Sequence, residues 1–373
     1  MPDKHAYLSA SSAYRWMRCT KSPGLCAGIA QRASPYALEG SEAHLLGEHK
    51  LLIALGRDSP DPRPNLENYD TEMEEATDEY RNFGMEQVAE AKERCNDPIV
   101  LVEERLDFSK WVPEAFGTGD LVIIADDLLT IVDLKYGAGQ LVSAEGNPQM
   151  RCYALGALDA YGSLYDIKNV RMCIFQPRRD NVSISEITVD ELLTWARDDL
   201  APKAKLAYND EGTFEAGDHC IFCAAKAVCR ARAEYNLAIA EYELQLPDTL
   251  EDAEIAAILS RVDELTAWAS DVKEYALSQA LSGTKYPGFK VVEGRSTRKY
   301  TDEDAVAQTV SDAGFDPYEK KVMGITSMTK LLGKKRFEEL LDGLVYKPPG
   351  KPVLAPESDK RPEIDNIDDA FDE

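Results

Sequence analysis

The chain has 373 residues, of which 44% are hydrophobic and 29% are charged, a composition typical of a main globular domain with appended segments. Its 42 Lys and Arg residues against 67 Asp and Glu residues give a net charge of -25, which argues against a protein that coats nucleic acid by general attraction. No apolar run approaches the roughly 20 residues of a bilayer span, and the N-terminal sequence lacks the apolar core of a secretion signal. We therefore expect a cytoplasmic protein without a membrane segment.

The first quarter of the chain is predicted to be mainly helical. Helices are predicted for the stretch AYRWMRC that ends at Cys19, for Tyr36 to Leu55 and for Thr71 to Arg94. Serine hydroxyls before the first of these can cap its open N-H groups. The third is rich in acidic residues, which favours a solvated helix.

The central part of the chain changes to a β-rich pattern. Strands are predicted at Ile99 to Phe108, Gly119 to Ala125, Leu128 to Leu134, Val170 to Phe175 and Val182 to Val189. A helix opened by Asn147-Pro148 runs through Tyr161, and an amphipathic helix from Asp190 to Tyr208 follows the last strand. The order of helix, three strands, helix and two strands predicts a mixed α/β core.

The chain is predicted to divide into four regions. Beyond the cysteine-rich segment, residues 220–229, the chain is mostly helical to Ser282. A small β segment (GFKVVEGRSTRKY) and short helices follow. The end is Pro-rich and then acidic, and cannot build a core. We expect a main domain over residues 1–235, a helical extension over 236–283, a small α+β region over 284–346 and a disordered tail over 347–373.

Two carboxylates and one ammonium are predicted to converge on neighbouring strands. Asp120 follows Gly119 at the start of the second strand, and Asp133 and Lys135 lie at the end of the third. Side chains two residues apart on a strand point to the same face, so Asp133 and Lys135 project together. Such a cluster suits a hard divalent cation, and Lys135 can orient or deprotonate an attacking water or stabilise developing charge.

An Asp-x-Lys tripeptide alone is most often a surface salt bridge, but its context favours a site. Glu103 lies on the preceding strand, with its neighbour Glu104 as the alternative inward-facing residue. The helix that follows places Gln149 and Tyr153 four residues apart on one face. His44 lies on an earlier helix, where a histidine satisfied by hydrogen bonds is the structural alternative to a ligand.

This ordered set of residues resembles the RecB-like branch of the PD-(D/E)XK nuclease superfamily, whose core is a helix, three strands, a helix and a strand. The resemblance spans roughly residues 8 to 235 and implies a restriction-endonuclease-like α/β (α+β) core. It implies a deoxyribonuclease whose Mg²⁺ or Mn²⁺ is held by His44, Asp120, Asp133 and sometimes Glu103, with Lys135 assisting the water and with Gln149 and Tyr153 contacting substrate. Gly119 replaces the Pro of the superfamily's name, as is common in this branch.

Four of the eight cysteines have the spacing of a metal site. Cys220, Cys223 and Cys229 have two and then five residues between them, which supplies three of the four ligands of a tetrahedral site. We expect the fourth from Cys19, with Cys26 as its substitute. Zinc and an iron-sulfur cluster both fit this spacing.

The resemblance bears on this choice as well. RecB-like nucleases of the AddB type and of the CRISPR-associated kind carry one Cys before the core and three after it, and hold a four-iron four-sulfur cluster. It implies such a cluster on Cys19, Cys220, Cys223 and Cys229, with zinc as the alternative. The remaining cysteines are then structural.

Phrases such as IVDLKYG, NPQMRCYALGAL and GKPVLAPESDKRP also resemble a phage-associated family of unknown function. Together the resemblances imply a phage or prophage exonuclease or end-processing nuclease that acts on DNA in recombination or replication, with a phage single-strand-binding or annealing protein as a candidate partner. The alternative is a catalytically weak DNA-binding or scaffold protein on a nuclease fold. A zinc-bound regulatory protein is a third reading, but it gives no reason for the Asp-x-Lys cluster.

Overall fold

The computed structural model describes residues 6–29, 35–238, 251–292, 301–318 and 322–346. The chain divides into two compact units, with the boundary between Ser278 and Gln279. The sheet and all the predicted site residues lie in the first unit. No helix of the described segments combines the length and the apolar character that a membrane crossing requires.

The helices of the first unit surround a single sheet. They are α1 (Ala13–Trp16), α2 (Ser22–Cys26), α3 (Pro35–Ala54), α4 (Thr71–Arg94), α5 (Pro148–Tyr161), α6 (Val189–Trp195), α7 (Ala201–Tyr208), α8 (Arg230–Leu237) and α9 (Asp252–Leu281), whose last residues belong to the second unit. The second unit, taken by itself, contains α10 (Glu303–Asp312), α11 (Ile325–Leu332) and α12 (Lys334–Leu341).

The sheet has five strands in the order β1-β2-β3-β4-β5. They are β1 (Ile99–Asp107), β2 (Phe116–Ala125), β3 (Leu128–Leu134), β4 (Asn169–Gln176) and β5 (Asn181–Thr188). Only β3 and β4 pair in parallel, and the crossover between them contains α5, whereas the other neighbours pair antiparallel. The fold is thus α+β, a mixed sheet flanked by helices, as predicted.

The two faces of the sheet pack against different helices. Val122 and Ile131 belong to one apolar cluster with residues of α5, whereas Leu121 and Val132 belong to a second cluster with residues of α3 and α4. This follows from the alternation of side chains along a strand. Because β3 is covered on both faces, all its residues are buried.

The prediction that α4 is a solvated helix is wrong. One face of α4 is buried, and the buried residues are Met73, Ala76, Thr77, Tyr80, Gly84, Val88 and Ala91. Their spacing of three and four residues is that of a helix packed along one side. The many acidic residues of the stretch lowered its mean hydropathy and hid this narrow face.

The other predicted elements agree closely with the structure. The helices predicted at 36–55, 71–94 and 148–161 are α3, α4 and α5, and the helix predicted at 190–208 is α6 and α7 joined by a π-helical turn, Ala196–Leu200. Strand β2 begins at Phe116, three residues earlier than predicted. In the predicted C-terminal β segment, residues 288–292 form no strand. Residues 293–300 and the predicted disordered tail lie outside the described residues.

Candidate metal centre and cysteine site

Three acidic residues lie in a row across three neighbouring strands. The pairs Val102–Leu121 and Glu104–Gly119 place Glu103 opposite Asp120. The β2–β3 ladder ends at the pair Leu121–Val132, so that Asp120 and Asp133 occupy the next step, where the two strands separate. We call Glu103, Asp120 and Asp133 the carboxylate row.

Asp120 occupies the gap between the separating strands. Its side chain is only 7% exposed, and its Oδ2 accepts a hydrogen bond from the Leu134 N-H at 2.6 Å. The other oxygen, Oδ1, lies 3.3 Å from Nδ1 of His44 on α3. The carboxylate is therefore oriented by the sheet on one side and by a helix on the other.

Glu103 reaches this centre through an unusual backbone conformation. Its φ angle is +52°, a left-handed conformation that costs a non-glycine residue about 1–2 kcal/mol. The ligand atoms of Glu103, His44 and Asp120 all lie within 4.8 Å of one another. The neighbouring Glu104 instead accepts a hydrogen bond from the Tyr161 hydroxyl at 3.0 Å. Of the two glutamates, Glu103 is the one that the structure places at the centre.

Asp133 belongs to a second, connected group of polar side chains. It is 2% exposed, and its Oδ1 accepts a hydrogen bond from Gln149 Nε2 at 3.0 Å. Its Oδ2 lies 2.8 Å from Lys135 Nζ, but this atom has no partner with hydrogen-bond geometry among the described residues. Lys135 Nζ also donates to Gln149 Oε1 at 3.0 Å. Gln149 thus holds the Asp133 carboxylate and the Lys135 ammonium in fixed orientations.

The start of α5 positions Gln149 and Tyr153. Asn147 caps the helix by accepting hydrogen bonds from the N-H groups of Gln149 and Met150. Gln149 Nε2 also donates to the Tyr153 hydroxyl at 3.0 Å. The Tyr153 ring lies against Gly117 of β2, where a Cβ atom would be 2.5 Å from Cε1 of the ring. A side chain at position 117 would therefore displace Tyr153 from the group.

Burial and mutual repulsion set the protonation of the row. Burial and the charge of Asp120 raise the pKa of Glu103 to about 8. Burial also raises the pKa of Asp133, although the Lys135 ammonium opposes this. The effect of burial on Asp120 is outweighed by His44, so its pKa is lowered. Burial would lower the pKa of His44, but Asp120 raises it to about 9.

We expect the metal-free protein to lose thermal stability as the pH rises from 4.5 to 9. Folding raises the pKa of Glu103 from 4.5 to about 8, so above pH 4.5 the unfolded chain releases a proton that the fold retains, and stability falls until about pH 8. The raised pKa of His44 likewise lowers stability as the pH rises from 6.5 to about 9. Melting temperatures measured in EDTA across this range should fall by several degrees Celsius.

Two neighbouring variants provide the control for this pH dependence. Glu103→Gln should reduce the fall in melting temperature most clearly between pH 4.5 and 6.5, because residue 103 no longer titrates there and His44 acts only above pH 6.5. Glu104→Gln should leave the pH dependence unchanged, since Glu104 contacts Tyr161 and not the row. A pH dependence that is identical in Glu103→Gln and in the wild type would contradict the assignment.

The N-terminal segment contacts the cysteine-rich segment, although the two are far apart in sequence. Arg15 Nη1 donates to the carbonyl of Phe222 at 3.1 Å, and Cys19 Sγ accepts from the N-H of Glu215 at 3.5 Å. Burial raises the pKa of the Cys220 thiol, and the nearby Cys19 and Cys229 add to this effect. These contacts place the N-terminal segment that carries Cys19 against the segment that carries Cys220.

Cys223 lies beside a different cysteine. Its Sγ is 3.6 Å from Sγ of Cys26, and both side chains are buried in a small cluster with Ala225. A hydrogen bond from Cys223 lowers the pKa of Cys26 to about 6. Cys26 is therefore the cysteine that the structure places in contact with Cys223. Sequence spacing pointed to Cys26 only as a substitute for Cys19, because nothing in its immediate sequence resembles a ligand motif.

The arrangement can bind a divalent cation through oxygen and imidazole ligands. Harder cations prefer carboxylate oxygens, and the crowded negative charge of the row favours a bound cation. His44, Glu103 and Asp120 are the nearest set, and Asp133 lies outside this set beside Lys135. The Asp133 carboxylate offers a further oxygen ligand, although its Oδ2 is ion-paired with Lys135 Nζ at 2.8 Å.

The fold and the centre define an α+β protein with a carboxylate row, buried at Asp120 and Asp133, that suits a divalent cation. A family model described as "Protein of unknown function (DUF2800)" matches residues 5–362, and the chain belongs to that family. A solved structure titled "Crystal structure of SSO0001" aligns with 50% of this chain and 95% of that chain, at 15% identity and a TM-score of 0.24. At so low a score the alignment supports no conclusion about fold or function.

Proposed function

We propose that this protein is a metal-dependent deoxyribonuclease that hydrolyses phosphodiester bonds, in the manner of the RecB-like PD-(D/E)XK nucleases that its sequence resembles. The observation that carries the proposal is the carboxylate row together with Lys135. One acidic residue from each of three adjacent strands meets a histidine from α3 and a lysine held by α5. A surface salt bridge requires no such convergence of charged groups around two buried aspartates.

Each residue has a distinct role in the proposed reaction. His44, Glu103 and Asp120 would hold Mg²⁺ or Mn²⁺, with Asp133 as a further ligand. A bound cation supplies Lewis-acid polarisation of the phosphate and lowers the pKa of water. Lys135 orients the attacking water, and its ammonium stabilises the charge that develops on the phosphate oxygens.

Gln149 and Tyr153 complete this group from α5. Because Gln149 bonds to both Asp133 and Lys135, it fixes the distance between the acid and the ammonium. The Tyr153 hydroxyl, bonded to Gln149, lies at the same end of the sheet and can contact the substrate backbone. This connected network supports a preorganised site in place of separate surface charges.

The direct test is incubation of anaerobically purified protein with end-labelled single- and double-stranded DNA, with and without Mn²⁺. Cleavage that requires Mn²⁺ and stops with EDTA is the expected result. Release of mononucleotides from the labelled end identifies an exonuclease, and internal fragments identify an endonuclease. DNA binding without any cleavage would favour the alternative, a scaffold protein on a nuclease fold.

We also propose that Cys19, Cys220, Cys223 and Cys229 hold a four-iron four-sulfur cluster in a structural role. The proposal is supported by the contact between the segment of Cys19 and the segment of Cys220 and by the N-H donor to Cys19, since such donors tune cluster sulfurs. Zinc bound by four cysteines is the alternative. Measurement of iron and zinc in the purified protein distinguishes the two.

DNA affinity is expected to depend only weakly on salt. The net charge of -25 leaves only local contacts and the cation to attract phosphates, so few counterions should be released on binding. We expect the slope of log affinity against log salt to be shallower than about -5. Filter binding in Ca²⁺ from 50 to 300 mM salt, about the usual range, measures this slope, and a slope near -9 would contradict the prediction.

A further inference from the structure

Tyr80 on α4 is a buried tyrosine whose hydroxyl has no hydrogen-bond partner among the described residues. The residue is 2% exposed, and its phenyl ring packs against Phe175 with the ring centres 6.1 Å apart. Buried tyrosines usually donate their hydroxyl hydrogen to an acceptor, because an unpartnered buried hydroxyl is unfavourable. The described residues offer this hydroxyl no acceptor within hydrogen-bond distance.

The path of the Tyr80 ring is set by a glycine on α3. A Cβ atom at Gly47 would lie 3.0 Å from Cδ1 and 3.3 Å from Cε1 of the ring. Gly47 follows His44 by three residues, so both lie on the same face of α3. The missing side chain thus lets the ring lie against α3 one turn from the histidine that contacts Asp120.

The negative charges of the carboxylate row affect the pKa of the Tyr80 hydroxyl. Burial raises the pKa of Tyr80 well above its usual value, and the charges of Asp120, Glu103 and Asp133 raise it further. The phenol therefore stays protonated. A hydrogen bond from its O-H to a nearby oxygen would be favourable.

We propose that Tyr80 is a positioning residue of the metal centre, whose O-H donates a hydrogen bond to an oxygen ligand of the bound divalent cation. The inference rests on the proposed metal site and adds a residue to it from α4. Hydrogen bonds of this kind hold ligands in place around a metal, and their loss usually weakens metal binding by about 10- to 100-fold.

The test compares Tyr80→Phe with the wild type by calorimetric titration with Mn²⁺ alone. The variant keeps the ring and removes only the hydroxyl, so we expect about tenfold weaker Mn²⁺ binding. Its melting temperature in EDTA should equal or exceed that of the wild type, because an unpartnered buried polar atom has been removed. Saturating Mn²⁺ should restore DNA cleavage to within a few-fold of wild type.

Tyr161→Phe is the matched control, since it removes a tyrosine hydroxyl that donates to Glu104 and not to the row. It should bind Mn²⁺ as the wild type does. If the wild type binds Mn²⁺ and cleaves DNA while Tyr80→Phe binds Mn²⁺ equally well, the role of Tyr80 is wrong and the proposed function stands. A Tyr80→Phe protein that melts lower in EDTA with unchanged Mn²⁺ affinity would show a structural role instead. A wild type that binds no Mn²⁺ would overturn both proposals.

Discussion

Asp120→Asn is expected to abolish metal-dependent DNA cleavage while the protein remains folded. The amide oxygen can still accept the Leu134 N-H, and the amide nitrogen can donate to His44 Nδ1, so both contacts of Asp120 are retained. Only the negative charge is lost, and with it a ligand of the cation. We expect the cleavage rate to fall by about a thousandfold or more, which corresponds to ~4 kcal/mol of transition-state stabilisation.

A matched control for this variant lies on the same β-hairpin. Asp126 is exposed in the turn between β2 and β3, at the end of the hairpin away from the row, and has a φ angle of +51°. Asn tolerates this left-handed conformation, so Asp126→Asn should cleave DNA at the wild-type rate. Single-turnover rates at saturating Mn²⁺ measure both variants. Cleavage by Asp120→Asn at more than a tenth of the wild-type rate would remove Asp120 from the metal centre.

Of the variants proposed for this protein, Cys220→Ser is expected to cause the largest loss of thermal stability. Wild-type protein purified without oxygen should be brown, with absorption at about 400 nm as is general for iron-sulfur clusters. The variant should lose this absorption. The cluster would connect Cys19 to thiols about 200 residues later, and closing such a loop is worth about 5 kcal/mol on the chain-entropy model. We expect the melting temperature to fall by roughly 10 °C.

Three other cysteine variants identify the ligand set. Cys95→Ser changes a partly buried thiol that belongs to the second apolar cluster, and it should keep both the colour and the iron content. Cys26→Ser should also keep its iron if Cys19 is the ligand, whereas Cys19→Ser should lose it. The reverse result would assign the position to Cys26, and colourless protein with one zinc ion per chain would decide for zinc.

Much of the sheet domain could be predicted from its sequence, because local signals specify it. The Asp-Asp turn separates two apolar runs that form β2 and β3, and Asn147-Pro148 marks the start of α5. Both are short-range patterns with a direct physical cause, a tight turn and an N-cap. The proximity of Asp133 and Lys135 follows from strand alternation in the same way, and they lie 2.8 Å apart.

Other parts of the centre depend on contacts that no local pattern encodes. His44 and Asp120 meet only because α3 packs with α4 on one face of the sheet. This pair was predicted from the resemblance and not from sequence spacing. The left-handed backbone of Glu103 contradicts its local preference and is held by tertiary structure. Tyr80 was missed because the acidic composition of α4 hid its buried face, although the spacing of Met73, Thr77, Tyr80 and Gly84 carried the signal.

The contact between the N-terminal segment and the cysteine-rich segment has a consequence for synthesis of the protein. Cys19 Sγ accepts from the N-H of Glu215, 196 residues later. At ribosomal rates of about 5–20 residues per second, a stretch of about 200 residues takes roughly 10–40 seconds to emerge. With Cys19 as a ligand of the proposed cluster, it must stay a reduced, unliganded thiol for that time in the nascent chain. Any metal loading must follow completion of the sheet, so chains that stall before residue 220 would expose this thiol to oxidation.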